Sequence, residues 1–223
     1  MRSISADGAN REPEAPGAPR VAPSVAHRVL LIRHAATSWT GRRWCGRADP
    51  ILSTDGRRAA RRLGPAVSVA LGDHSGGVAL LISPARRARQ TAANIETALG
   101  VTAALEPDLL EVDVGVAEGL DWPTLEMRHP ELAADIARGI QPDWPGGETR
   151  ADVVRRAARA AQRIRAAAAR RPVVIVSHGA ILHAIATLLV EDGRPLGGLL
   201  PGEILRLDPA TPPVPRPPGR FEA

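Results

Sequence analysis

The stretch Val29-Leu30-Leu31-Ile32-Arg33-His34-Ala35-Ala36-Thr37 decides the fold. Its aliphatic run ends abruptly in an arginine–histidine pair. A segment apolar on both faces reads as a central strand of a parallel sheet. In open α/β sheets, ligands bind just beyond the carboxyl ends of the strands, so Arg33 and His34 fall on the floor of a site. There a guanidinium can neutralise an anion beside an imidazole that serves as nucleophile or base.

Working outward, the same design recurs. Residues 28–32 form the first strand, 78–82 a second and 172–177 a third buried one. Ser53 or Asp55 opens a helix to about residue 71, and a second helix runs over 86–99. Thr149 or Asp152 opens an alanine- and arginine-rich helix to about residue 171, and residues 180–190 form another. Residues 202–207 add an edge strand, and the middle of the chain reads as irregular. Strands separated by helices imply right-handed crossovers and a three-layer α/β/α sandwich with a mostly parallel central sheet. Residues 1–26, rich in proline, alanine, glycine and charge, read as a disordered tail. Residues 27–208 form the ordered domain, and 209–223 a second, proline-rich tail.

Composition narrows the functional classes. The 223 residues are 44% hydrophobic and 24% charged, ordinary for one soluble globular domain. No apolar run approaches the length of a membrane span. The N-terminus lacks an apolar signal core, so the cytoplasm is the expected location. The single cysteine, Cys45, forms no internal disulfide and supplies no metal cluster. Neither a metal nor a cofactor is expected. The net charge of +5 and isoelectric point of about 11.1 invite a nucleic-acid reading. Without lysine or tyrosine, however, a modest arginine excess raises the isoelectric point by itself. The pairs Arg57-Arg58, Arg61-Arg62 and Arg155-Arg156 read as solvated helix faces rather than a DNA-binding stripe. Neither a nucleic-acid nor a membrane partner is expected. The sequence carries no signal for assembly.

The chemistry sits at three strand ends. The first finishes in Arg33-His34. The second finishes in Ser83-Pro84, with Arg87 in the first turn of the following helix. The third finishes in Ser177-His178-Gly179. All three meet one edge of a parallel sheet, so Arg33, His34, Arg87 and His178 can converge on a dianionic tetrahedral group. Arginine forks match phosphate oxygens, and the helix starts after Ser83 and Gly179 can add backbone N–H donors. Nearby arginines should depress the pKa of His34 and keep it nucleophilic.

These blocks, in this order, resemble the histidine phosphatase superfamily, also called phosphoglycerate mutase-like. Arg33-His34-Ala35-Ala36-Thr37 is similar to its opening Arg-His-Gly-Glu/Gln-Thr block, with alanines at the glycine and acid/amide positions and Thr40 at a common asparagine position. Gly46, Asp49, Leu52-Ser53 and Gly56 fit the next stretch. Ser83 to Ala92, Leu110-Glu111, Gly115, Glu118-Gly119, Gly146-Gly147-Glu148-Thr149 and Val176-Ser177-His178-Gly179 follow.

The resemblance implies a phosphomonoesterase acting on a small phosphorylated metabolite, without metal, through a phosphohistidine on His34. Arg33, Arg87 and His178 would hold the phosphoryl oxygens, and Glu111 would donate the proton, ahead of Glu118, which would support a loop. Thr37, Cys45, Gly46 and Gly179 would contribute to substrate binding, with Cys45 at the pocket mouth and without a catalytic role. Little chain separates Glu111 from Thr149, which favours a phosphatase over a mutase. A mutase, or a phosphoester-binding module without turnover, is the alternative. Trp39, Trp44, Trp122 and Trp144 serve either as a substrate lid or as core and rim packing.

Overall fold

A computed structural model describes residues 28–72, 74, 77–190 and 198–207. The two tails expected from the sequence lie outside these residues. A five-stranded sheet is built from β1 (Val29–Arg33), β2 (Ala79–Ile82), β3 (Ala104–Leu105), β4 (Val173–Ser177) and β5 (Ile204–Leu207), in the order β3-β2-β4-β1-β5. β1, β2, β3 and β4 run parallel, and β5 lies antiparallel against β1. The sandwich with a mostly parallel sheet is the one the strand–helix alternation implied.

Alternation along the strands divides the core in two. Leu30, Ile32, Leu80, Ile82, Val174 and Val176 face one side. They pack on Leu63, Val67 and Leu71 of α1 (Thr54–Leu71) and on Ala88, Ala92 and Ile95 of α2 (Arg86–Leu99). Val29, Leu31, Val173 and Ile175 face the other side, which carries α5 (Arg150–Ala168) and α6 (Gly179–Leu189). Small side chains on α5 (Ala157, Ala160, Ala161) let that helix lie close to the sheet.

Local signals fix the helix ends. The Ser53 hydroxyl accepts from the Gly56 N–H and starts α1. Gly56 has no substitute there, since a Cβ would stand 1.9 Å from the Ala36 carbonyl oxygen. Thr149 and Asp152 form a reciprocal capping box on α5. The segment read as irregular holds two short helices, α3 (Trp122–Arg128) and α4 (Pro130–Ala137). Asp121 caps the first through the Thr124 N–H, with a proline in its opening turn. That pairing of Asp121 with Pro123 is a helix-start signal.

Parallel register aligns the strand ends. Arg33 lies opposite Ser177, and Ile82 opposite Val176. The His34 N–H donates to Ser177 O at 2.8 Å, and the Ser83 N–H to Val176 O at 2.9 Å. His34, Ser83 and His178 therefore leave the sheet at one edge.

Candidate active site

Arg87 organises this edge. It is 1% exposed although it stands in the first turn of α2. Nη1 donates to Ala48 O (2.6 Å) and Nη2 to Gly46 O (3.0 Å). Nε points between two imidazoles, 3.2 Å from His34 Nε2 and 3.2 Å from His178 Nδ1. Asp49 lies 3.7 Å from Nη1. The same Asp49 carboxylate accepts the Arg86 N–H through both oxygens, so one acid caps α2 and balances its buried arginine.

His34 has its tautomer set by the backbone. Nδ1 is 2.8 Å from the carbonyl oxygen of Ala35, which can only accept, so Nδ1 carries the proton. Nε2 keeps its lone pair and accepts from Arg87. In His178, Nδ1 likewise accepts from Arg87, and Nε2 meets the Ser83 hydroxyl at 2.7 Å. The two rings stand edge to face, 5.0 Å apart. Arg33 donates from Nη1 to Leu199 O (2.8 Å). Its Nε is buried with no protein acceptor. A Cβ on Gly179 would lie 3.5 Å from that nitrogen, so the glycine makes room for the guanidinium.

Burial, followed by the charge of Arg87, pulls His34 down to about 3. The arginine effect anticipated from the sequence is present, but desolvation is the larger cause. His178 is lowered by burial and then by His34 and Arg87. An unfolded histidine takes up a proton near pH 6.5, whereas these two stay neutral in the fold. Below that pH the unfolded chain binds more protons, so stability present above 6.5 is lost as the pH falls. The slope approaches about 1.4 kcal/mol per pH unit for each such histidine. Urea unfolding is therefore expected to weaken between pH 6.5 and about pH 4.5. The shifted carboxylates, Asp108, Asp121, Glu148 and Asp152, are all lowered and titrate below this window. His34→Asn should flatten the dependence; a slope equal to wild type would contradict the buried neutral ring.

Glu111 is anchored at the start of α6. Its Oε1 accepts from the N–H groups of Val112 (2.9 Å) and Ile181 (3.2 Å), and Oε2 accepts a longer bond from Ala180 (3.3 Å). The carboxylate thus caps α6 directly after His178, and its charge is felt by Arg33. Oε2, with one long bond, has the freer lone pairs. Two sequence expectations change here. The N-terminal N–H groups of α2 and α6 were read as donors for a ligand, yet Asp49 takes that of Arg86 and Glu111 takes those of Ala180 and Ile181. Arg156, read with Arg155 as solvated, is buried at 7% exposure while Arg155 remains outside.

The other positions named from the sequence fall as follows. Gly46 donates its N–H to Glu118 (3.1 Å) and gives its carbonyl to Arg87. A Cβ there would sit 2.4 Å from Val112 O. Glu118 also accepts the Arg47 N–H at 2.6 Å, tying down this loop. Cys45 donates to Ala48 O at 3.5 Å, and burial pushes its thiol up to about 11, so it stays protonated. The Thr37 hydroxyl accepts from Trp39 N and meets Thr40 Oγ1 at 3.3 Å, inside its own turn. Thr40 in turn accepts the Thr37 N–H at 2.9 Å. Trp44 packs against Trp122 and Trp144 and onto the core. Ser83, Asp49, Glu148 and Arg156 also organise the site, and none was assigned a role from the sequence.

Known proteins share the sequence pattern and the fold of this chain. The profile of the histidine phosphatase superfamily (branch 1) matches residues 29–200. A bifunctional protein of Mycobacterium tuberculosis is 34% identical over 167 residues, 74% of this chain. The match covers 45% of that protein, so the chain spans less than half of its length. A metal-independent phosphoserine phosphatase of Arabidopsis thaliana is 29% identical, over 77% of this chain and 72% of its own. A solved phosphoglycerate mutase from Thermus thermophilus superposes with a TM-score of 0.62 at 29% identity, covering 84% of this chain and 96% of that one.

Proposed function

The chain belongs to branch 1 of the histidine phosphatase superfamily, and from that premise we propose that it hydrolyses phosphomonoesters of a small metabolite through a phosphohistidine on His34. The observation that carries the proposal is the His34 ring itself. It is neutral, its proton is pinned on Nδ1 by Ala35 O, and its Nε2 lone pair meets Arg87 in a site that also feels the charge of Arg33. Phosphoryl transfer requires an in-line nucleophile and fixed positive charge around the equatorial oxygens. The unpartnered Nε of Arg33 is a donor of that kind, and the guanidinium of Arg87, its Nε shared between the two imidazoles, adds fixed positive charge.

In the first step, with Glu111 in its carboxylic acid form, Nε2 attacks phosphorus, the ester P–O bond breaks, and the departing oxygen takes the Glu111 proton to leave its carboxylate. In the second, Glu111 accepts a proton from water, the hydroxide attacks phosphorus, and the P–N bond breaks to restore neutral His34. His178 accepts from the same Arg87 Nε through its Nδ1 and is held by Ser83 through Nε2, and so fixes that charge beside the nucleophile. The metal-independent activity in the name of the Arabidopsis relative is consistent with this chemistry.

A rapid-quench experiment tests it. Wild-type protein in EDTA, mixed with a phosphoryl-labelled aryl ester, is expected to hold label that is acid-labile and base-stable, as a phosphoramidate is. The label should map to His34 and decay as phosphate appears. Turnover abolished by EDTA, or label on another residue, would overturn the proposal.

A further inference from the structure

Arg156 stands apart from the other arginines of α5. Arg159 and Arg163 remain about half exposed while they pair with Asp108 and Glu106, whereas Arg156 is buried. Every nitrogen of its guanidinium has an acceptor. Nη1 donates to the carbonyls of Asp108 (2.8 Å) and Leu110 (2.6 Å), and Nη2 to that of Glu111 (3.3 Å). Nε and Nη2 form a two-pronged bond with Glu148, each at 2.8 Å. Burial alone would raise the Glu148 carboxyl, but Arg156 and the Asp113 N–H carry it below its ordinary value.

Glu148 continues the clamp. Its Oε2 accepts the Asp113 N–H at 2.9 Å, and its own N–H donates to Asp113 O at 2.9 Å. It also receives Arg47 at 3.3 Å, from the loop whose carbonyls hold Arg87. Residues 108, 110, 111 and 113 are therefore fastened on both sides of the Glu111 side chain. A buried ion pair is a weak device for stability, because apolar residues of similar volume often serve as well. A planar fork with five donors can, however, hold several carbonyls in one fixed arrangement.

Resting on the reading of Glu111 as proton donor, we propose that Arg156 and Glu148 are positioning residues, whose buried pair aims Glu111 at the leaving oxygen. The clamp matters in proportion to how much the leaving group needs a proton. Esters that depart readily as anions should barely sense it, and esters that depart poorly should depend on it. A pair that merely held the fold together would affect all esters alike.

The test compares kcat/KM for p-nitrophenyl phosphate and phenyl phosphate, which are similar in shape and differ in leaving-group basicity. Arg156→Lys and Glu148→Gln are both measured after circular dichroism and melting establish that they fold. Each is expected to lose about 10-fold or more on phenyl phosphate and under about 3-fold on the nitrophenyl ester. Glu111→Gln should widen the gap further, and adding Arg156→Lys to it should widen it no more. Parallel losses on both esters in either folded variant would overturn the positioning role. A Glu111→Gln variant with an unchanged ratio would instead overturn the proton-donor reading on which it rests.

Discussion

His34→Ala is expected to lower phosphomonoester turnover by at least ~10³-fold, about 4 kcal/mol of barrier, even with a leaving group as good as p-nitrophenolate. That substrate makes little demand on Glu111, so the loss reports on the nucleophile alone. His178 cannot substitute. Its Nδ1 is engaged by Arg87 and its Nε2 by Ser83 on the far side of the ring. The variant should still fold, because the Arg87 Nε keeps His178 as an acceptor and the cavity is confined to one imidazole. A cost of about 1–3 kcal/mol is expected from lost packing and the lost bond to Ala35 O. Steady-state kinetics beside urea unfolding separate the two effects. Turnover within about 10-fold of wild type in the folded variant would exclude His34 as the nucleophile.

Arg87 should be almost as sensitive, and for two reasons at once. Arg87→Ala removes the positive charge beside the proposed phosphoryl position and releases the Gly46 and Ala48 carbonyls that the guanidinium holds. A loss of ~10³-fold in kcat/KM is expected, with about 3 kcal/mol of stability, since the buried Gly46 carbonyl and the part-buried Ala48 carbonyl are left without this partner. Arg87→Lys restores a charge but cannot span two carbonyls and two imidazoles, and should retain a deficit of ~10²-fold. Burial remains the leading cause of the low His34 pKa, so removing Arg87 should raise its titration only partway toward the ordinary value. An NMR titration of the His34 ring reads this directly. Lysine restoring full activity would show that charge alone, without the fork, suffices.

The parts of the site most legible in the sequence were those that end strands. Arg33, His34 and His178 follow aliphatic runs, and parallel register leaves them no other edge to occupy. Arg87 was legible through its place one turn into the next helix. Arg156 was hidden by composition, because α5 is full of arginines that do face water. Its helical phase could have revealed it: Arg156 lies three residues after Val153 and four before Ala160, both buried. The capture of the α2 and α6 N–H groups by Asp49 and Glu111 was not readable. It depends on carboxylates from distant loops, whose approach no local pattern encodes. The short β3, α3 and α4 lacked the length that makes periodicity informative.

The pairing of Val29 with Val173 at the centre of the sheet carries a consequence for how this protein comes into being. Strand β1 is made well before its parallel partner β4, which follows only after α1, β2, α2 and α5. Helices and the β2–β3 edge can form from nearby residues, but joining β1 to β4 must close a very long loop. Until that closure His34 has no His178 beside it. The strand-end cluster therefore stays unassembled until β4 has been made, and its completion waits on that one long-range closure.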